Sequence, residues 1–279
     1  MKNKIAIICL AISLLSSCTP GIWEDRSDCP GWFSLDYSQV DPNIEQLHIW
    51  FTDNSTGEVL FKDIVPSSAY QTYYEIQLPR TDNLRYYVFG NITSATTITE
   101  EPTLNTSIVK KEKLSADSLY YQASDIISTR QEFTYDTVRL HKEFANVDFI
   151  MRGTPKKGDD IHIDAYGTTA GLYIDRRYIP GQMTTSVEDK VTAEGNSLFR
   201  FRLMRQENIE DLMLKITGTV AGIPVEIEEF PLGEFLKKAN YNMLSDDLKD
   251  VTVTMDMSFN FINIKIEDWS STYPVDIEI

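Results

Sequence analysis

The chain has 279 residues, 42% hydrophobic and 24% charged, which leaves room for one or two domains and rules out wholesale disorder. Its 42 acidic residues outweigh 26 basic ones, for a net charge of −16. No cluster of cations interrupts that excess, so the phosphate-neutralising surface that DNA or RNA binding requires is missing.

Lys2 and Lys4 precede an apolar run from Ile5 to Leu15 that only Ser13 breaks. The run falls short of the roughly 20 residues that span a bilayer and reads as the core of a secretory signal. It ends in Leu15-Ser16-Ser17-Cys18, which resembles the lipobox of bacterial lipoproteins. Small side chains there admit the peptidase to the bond between Ser17 and Cys18, and the Cys18 thiol takes a diacylglycerol through a thioether. Residues 1–17 are then a lipoprotein signal peptide and residues 18–29 a tether. Loss of Lys2 and Lys4 leaves 24 basic against 42 acidic residues, a net of −18. One myristoyl chain binds a bilayer only marginally, whereas two or three long chains hold for practical purposes permanently. The expected product is tethered to a membrane beyond the inner one. With Cys9 lost and Cys18 acylated, Cys29 has no partner for an intramolecular disulfide. Asp25 and Asp28 beside it oppose the thiolate that a nucleophile would need, so it reads as structural.

Period-2 alternation then recurs to the end of the chain. Phe33, Leu35 and Tyr37 share a face, as do Leu47, Ile49 and Phe51, with His48 and Trp50 opposite. Tyr74, Ile76 and Leu78 repeat the pattern, followed by Leu84, Tyr86 and Val88 with Arg85 and Tyr87 opposite. Turn clusters such as Asp53-Asn54-Ser55-Thr56-Gly57 separate these runs. Residues 93–131 are irregular and rich in Thr, Ser and Glu; they read as a long connection that admits a short helix near Glu112–Tyr121. Alternation resumes at Thr137, through Val147, Phe149 and Met151, then Ile161, Ile163 and Ala165, then Phe199, Phe201 and Leu203, then Leu212, Leu214 and Ile216. Leu232, Phe235, Leu236 and Ala239 have helical spacing instead, with Asn240 suited to the C-terminal end. Apolar residues hold odd positions from Val251 to Phe261 and even positions from Ile262 to Ile266, so a bulge or turn is expected near Asn260–Asn263. The fold class is all-β: two tandem β-sandwiches, 30–140 and 141–279, with a short helix in the second.

Catalytic chemistry is sparse. His48, His141 and His162 have no metal-ligand partners at zinc spacing. His162 and Asp164 share an exposed strand face. No G-x-S-x-G, P-loop or G-x-G-x-x-G occurs. The acidic clusters at Asp159-Asp160, Glu226-Glu228-Glu229 and Asp246-Asp247 with Asp250 lack the spacing of a calcium loop and read as solvated faces. No cofactor, metal or enzyme activity is implied. Asp117-Ser118-Leu119 and Asp136-Thr137-Val138 resemble the O-glycosylation acceptor of exported Bacteroidota proteins, with Ser118 and Thr137 as acceptors.

Several segments together resemble the FimB-like fimbrial anchor lipoproteins of Bacteroidota. They are the lipobox followed by Asp25-Arg26-Ser27-Asp28-Cys29-Pro30, the strand from Leu84 to Asn91, the run from Val138 to Phe149, and the close from Ile262 to Trp269 and Val275 to Ile279. At position 141 the pattern leads one to expect arginine or lysine, and His141 stands there. The resemblance implies two transthyretin-like sandwiches, no enzymatic activity, and a lipid-anchored place at the base of a fimbrium on the outer membrane, with fimbrial shaft subunits as partners. Shaft subunits of that superfamily resemble precursors trimmed after an arginine. Cutting at Arg26 here would separate the lipid from both domains, so an anchor should keep its N-terminus. Val275, Ile277 and Ile279 alternate with Asp276 and Glu278, giving a terminal strand of donor type for strand addition; the alternative is that this is the last strand of the second domain. A second reading, a surface lipoprotein that binds glycans or a host protein, needs grouped exposed aromatics, for which Trp50, Tyr73 and Tyr87 are the candidates.

Overall fold

The computed structural model describes residues 29–70, 74–152, 160–188, 190–191, 196–220, 222–256, 261–267 and 275–278. Residues 1–18, with the lipobox, lie outside the described residues, as do Tyr73 and Ile279.

The chain opens with β1 (Gly31–Asp36), β2 (Gln46–Asp53), β3 (Glu58–Pro66), β4 (Tyr74–Leu78) and β5 (Leu84–Gly90). It continues through β6 (Thr96–Thr99), β7 (Ser107–Lys110), β8 (Tyr120–Ala123), β9 (Phe133–Thr137) and β10 (His141–Lys142). A three-stranded sheet of order β4-β1-β9 faces a five-stranded sheet of order β10-β8-β5-β2-β3. Alternation explains the layering. Phe33, Leu35, Ile76 and Leu78 point inward from the small sheet and meet Leu47, Ile49, Phe51, Tyr86 and Val88 from the large one. Phe33, Phe51 and Tyr86 lock together with ring centroids 5.5–5.9 Å apart, the offset and edge-on geometry that ring quadrupoles favour.

The second half contributes β11 (Phe144–Arg152), β12 (Asp160–Tyr173), β13 (Tyr178–Glu188), β14 (Lys190–Val191), β15 (Ser197–Met204), β16 (Met213–Val220) and β17 (Ile223–Phe230). The helix α1 (Leu232–Lys238) follows, then β18 (Asp250–Asp256), β19 (Phe261–Glu267) and β20 (Val275–Glu278). One six-stranded sheet has the order β14-β15-β11-β18-β19-β20; the other runs β17-β16-β12-β7-β6, with β13 also paired to β12. Each sandwich sets its opening strand beside a late parallel one, β1 with β9 and β11 with β18.

The helix sits where its spacing predicts. Leu232, Leu236 and Ala239 are buried, and Asn240 takes a left-handed φ of 57° just past its end. The bulge is also in place: Thr254 pairs with Asn263 and Met255 with Phe261, which leaves Ile262 as the extra residue. Residues 93–131 differ from expectation. They form no helix near Glu112–Tyr121, and instead carry three strands, two of which leave the first sandwich. β7 pairs with β12 and β6 with β7, extending a sheet of the second domain. The physical reason is how the segment's polar groups are used. The Asp117 carboxylate accepts from the Thr93 amide at 2.9 Å and the Ala95 amide at 3.3 Å. Ser115 Oγ accepts from the Arg202 amide at 2.6 Å, and the Ala116 amide donates to the Arg202 carbonyl. Groups committed to distant backbone cannot also build a local helix.

Candidate functional sites: the inter-domain seam and the tail strand

The outer face of the five-stranded sheet is covered. Trp50 and Tyr87 are 3% and 2% exposed and share one continuous core with Phe89, Tyr121, Ile108, Leu172 and Ile174. Trp50 packs edge-on to Phe89 at 6.1 Å, and Phe89 lies 4.8 Å from Tyr121. This corrects the glycan-site reading of Trp50 and Tyr87. Strands β6 and β7 and the second domain lie over these rings, so the two do not form an exposed platform, and Trp50 only borders a cavity.

A charged network closes one end of the seam. Glu143, fully buried, holds Arg205 through Nε at 2.6 Å and has Arg176 Nη2 at 2.7 Å from its other oxygen. Arg205, 1% exposed, also donates to the carbonyls of Met243, Asp246 and Lys142. Burial pushes the Glu143 carboxyl above its usual range, and the two guanidinium groups pull it part of the way back. Next to it Lys142, 1% exposed, pairs with Asp250, whose carboxylate also accepts from the amide and side chain of Asn146 at 2.7 and 2.9 Å. The Lys142 amide donates to Asp247 at 2.6 Å. Asp250, expected on a solvated face, is therefore spent on the opening of the second domain, while Asp247 stays exposed and accepts from the Lys142 amide. A buried lysine and unpaired amides needed acceptors, and this loop supplies them.

One cavity adjoins the charged network and another the covered sheet face. The larger, of about 580 Å³, is lined by Asp175, Arg176, Arg177, Tyr178, Arg205, Glu207 and Leu244. Its three arginines are already held by Glu143 and Asp175. The other, of about 360 Å³, lies over His48, Trp50, Ile64 and Ile98 and is crossed by the Lys62–Glu100 ion pair. Among the described residues no group of three metal-ligating side chains exists. His162 Nε2 does meet Asp164 Oδ1 at 3.1 Å, and Ser186 Oγ reaches the same oxygen at 2.5 Å. The carboxylate stands between the two, so the imidazole cannot take the proton of the serine, as nucleophile activation demands.

The acceptor residues sit in half-buried places. Ser118 Oγ accepts from Arg202 Nη1 at 3.2 Å. Thr137 ends β9, its amide bonded to Asp136 Oδ1 at 2.8 Å. Val275 and Ile277 lie in β20, which pairs with β19 through Ile266↔Val275 and Ile264↔Ile277 and forms the edge of its sheet. Cys29 is half-buried, and its carbonyl accepts from Arg80 Nε at 2.7 Å.

The profile of the fimbrillin-A associated anchor proteins Mfa1 and Mfa2 matches residues 26–273. The chain belongs to this family. The family is fimbrial and structural, which makes the protein a fimbrial anchor or accessory subunit. Solved structures agree on the fold. The fimbrial anchor protein Mfa2 of Porphyromonas gingivalis superposes with a TM-score of 0.63 at 15% identity, over 86% of this chain and 98% of that one. A suggested polysaccharide-binding protein of Bacteroides thetaiotaomicron gives 0.65 at 15% identity, over 89% and 98%. A fimbrial assembly protein of Parabacteroides distasonis gives 0.50 at 12% identity, over 90% and 100%. No curated protein sequence matches.

Sequence reasoning missed the Glu143–Arg205–Arg176 network. Its trace was there: Lys142 and Glu143 interrupt an apolar alternation immediately before Phe144, and Arg205 and Gln206 close a strand after Leu203 and Met204.

Proposed function

We propose that this protein anchors a fimbrium at its base, held in the outer membrane by lipid on Cys18 and joined to shaft subunits by strand addition. Membership of the fimbrillin-A associated anchor family carries the reading, and the lipobox at Ser17 and Cys18 supplies the tether. The joint is assigned to the tail formed by Val275, Ile277 and Ile279. Among the described residues β20 pairs with β19 alone and stands last in its sheet. Releasing it costs a single ladder, and its main chain can then pair with another subunit.

Deleting Val275–Ile279 tests the joint. The truncated protein should stay folded and membrane-bound while fimbriae appear in the medium. Each apolar side chain contributes about 1.5–3 kcal/mol if fully buried, so a tail that serves mainly its own sheet would announce itself as a large fall in melting temperature. That fall, or full retention of fimbriae, rejects the donor role and leaves the family assignment untouched.

A further inference from the structure

The first domain has one face that the seam does not use. From the outside inward, the layers are the small sheet β4-β1-β9, its core, the five-stranded sheet, and then the seam. The outer face of the small sheet thus points away from the second domain. The same alternation that turns Phe33 and Leu35 inward turns Trp32 outward. In the parallel pairing of β1 with β9, Trp32 stands opposite Phe133 and Ser34 opposite Tyr135. Trp32, Phe133 and Tyr135 are 39%, 70% and 57% exposed. Large side chains grouped on an exposed face mark an interaction surface.

Their position says what they meet. Trp32 and Phe133 lie at the beginnings of β1 and β9, the end of the sandwich where the tether arrives. Arg80 and Arg130 stand there too. Arg80 bonds the carbonyls of Cys29 and Arg130, and Arg130 pairs with Asp82 at 2.5 Å. Ile126, 55% exposed, lies in the adjoining loop. Eleven peptide steps separate Cys18 from Cys29. Even fully extended they reach about 40 Å, so this end of the domain cannot leave the lipid surface by more than that. Tryptophan and tyrosine favour the bilayer interface, where one end of the ring is apolar and the other wet. Arg130 is paired with Asp82 and Arg80 stands at the same end as Glu132, so in a strongly acidic chain this end is close to neutral.

We infer that the Trp32–Phe133–Tyr135 face seats the first domain on the membrane surface, as a second contact that fixes the orientation of the anchor. The inference rests on the lipid-tether reading of Cys18. With the tether alone the domain would swivel; with both contacts the second domain and its tail are held away from the membrane.

The test uses the full mature protein in vesicles of phosphatidylethanolamine with a minority of phosphatidylglycerol, with brominated acyl chains as quenchers of tryptophan emission. A Trp32→Phe variant isolates the contribution of Trp32 from those of the other tryptophans. The expected result is a quenched component that Trp32→Phe removes. That component should also fall several-fold in a Phe133→Ser/Tyr135→Ser variant that keeps Trp32. Mass spectrometry of the Cys18 peptide reads the tether separately. An acylated chain whose Trp32 is unquenched overturns this inference alone, and a chain without acyl mass overturns the tether. If Trp32 emission is unchanged by vesicles but shifts on adding purified shaft subunit, the face is a protein interface and the membrane assignment fails.

Discussion

Replacing Glu143 with alanine removes the acceptor that two arginines share. Arg205 would stay 1% exposed with only carbonyl oxygens around it, and Arg176 would lose its partner at 2.7 Å. Breaking a buried ion pair from one side costs about 3–5 kcal/mol, because a charge is left in low dielectric without compensation. For a chain of this size each kcal/mol lowers the melting temperature by about 2–4 °C. Glu143→Ala should therefore melt on the order of 6–20 °C below the parent, read by circular dichroism at neutral pH on the chain without its signal peptide. Asp148→Ala is the control. Its partner Arg200 has a side chain 66% exposed, so that loss should stay within about 1 kcal/mol. Adding Arg205→Met to Glu143→Ala should recover much of the loss, since the stranded charge disappears with it. A Glu143→Ala protein that melts within about 2 °C of the parent would refute the reasoning. Two separate transitions in the parent would refute the continuous seam core.

Cys18→Ala should move the protein from the membrane fraction to the soluble one; a variant retained as firmly as the parent contradicts the lipid anchor. Mass spectrometry of the mature protein should find its N-terminus at Cys18, and a start at Ser27 would contradict the anchor role. Burial holds the His48 imidazole below its usual range, only partly offset by Glu100. Its folded pKa is depressed, so the neutral ring contributes stability that is present above the unfolded value and lost as pH falls through the folded one. Melting temperature should therefore drop between neutral pH and about pH 5, and His48→Gln should flatten that drop; an unchanged slope would contradict the assignment.

Much of this architecture was legible because strands announce themselves by period. Phe33, Leu35 and Tyr37 named the face of β1 that the core uses, and by the same rule placed Trp32 outside. The change of parity at Phe261 and Ile262 marked a bulge or turn near Asn260–Asn263, because a slip of one residue moves a run to the other face, and the pairing makes Ile262 the extra residue. What local pattern could not reveal is where a segment's polar groups find partners. The stretch from Thr93 to Tyr121 has no strong period of its own, and its place is set by Asp117, Ser115 and Ala116 bonding to distant backbone. Likewise, Trp50 and Tyr87 alternate as exposed residues should, and only the docking of a second domain buries them. Asp250 looks like solvent-facing charge until Lys142 arrives from about a hundred residues upstream. Long-range pairing carries no local signature, so the seam was the part hidden from sequence.

The anchoring role itself is tested most directly by deleting the protein from a fimbriated strain and counting fimbriae on cells and in the medium. Fimbriae should still assemble but be shed, and the parent protein should restore them to the cell while Cys18→Ala does not. Fimbriae that stay on the deleted strain at the parental number would contradict it.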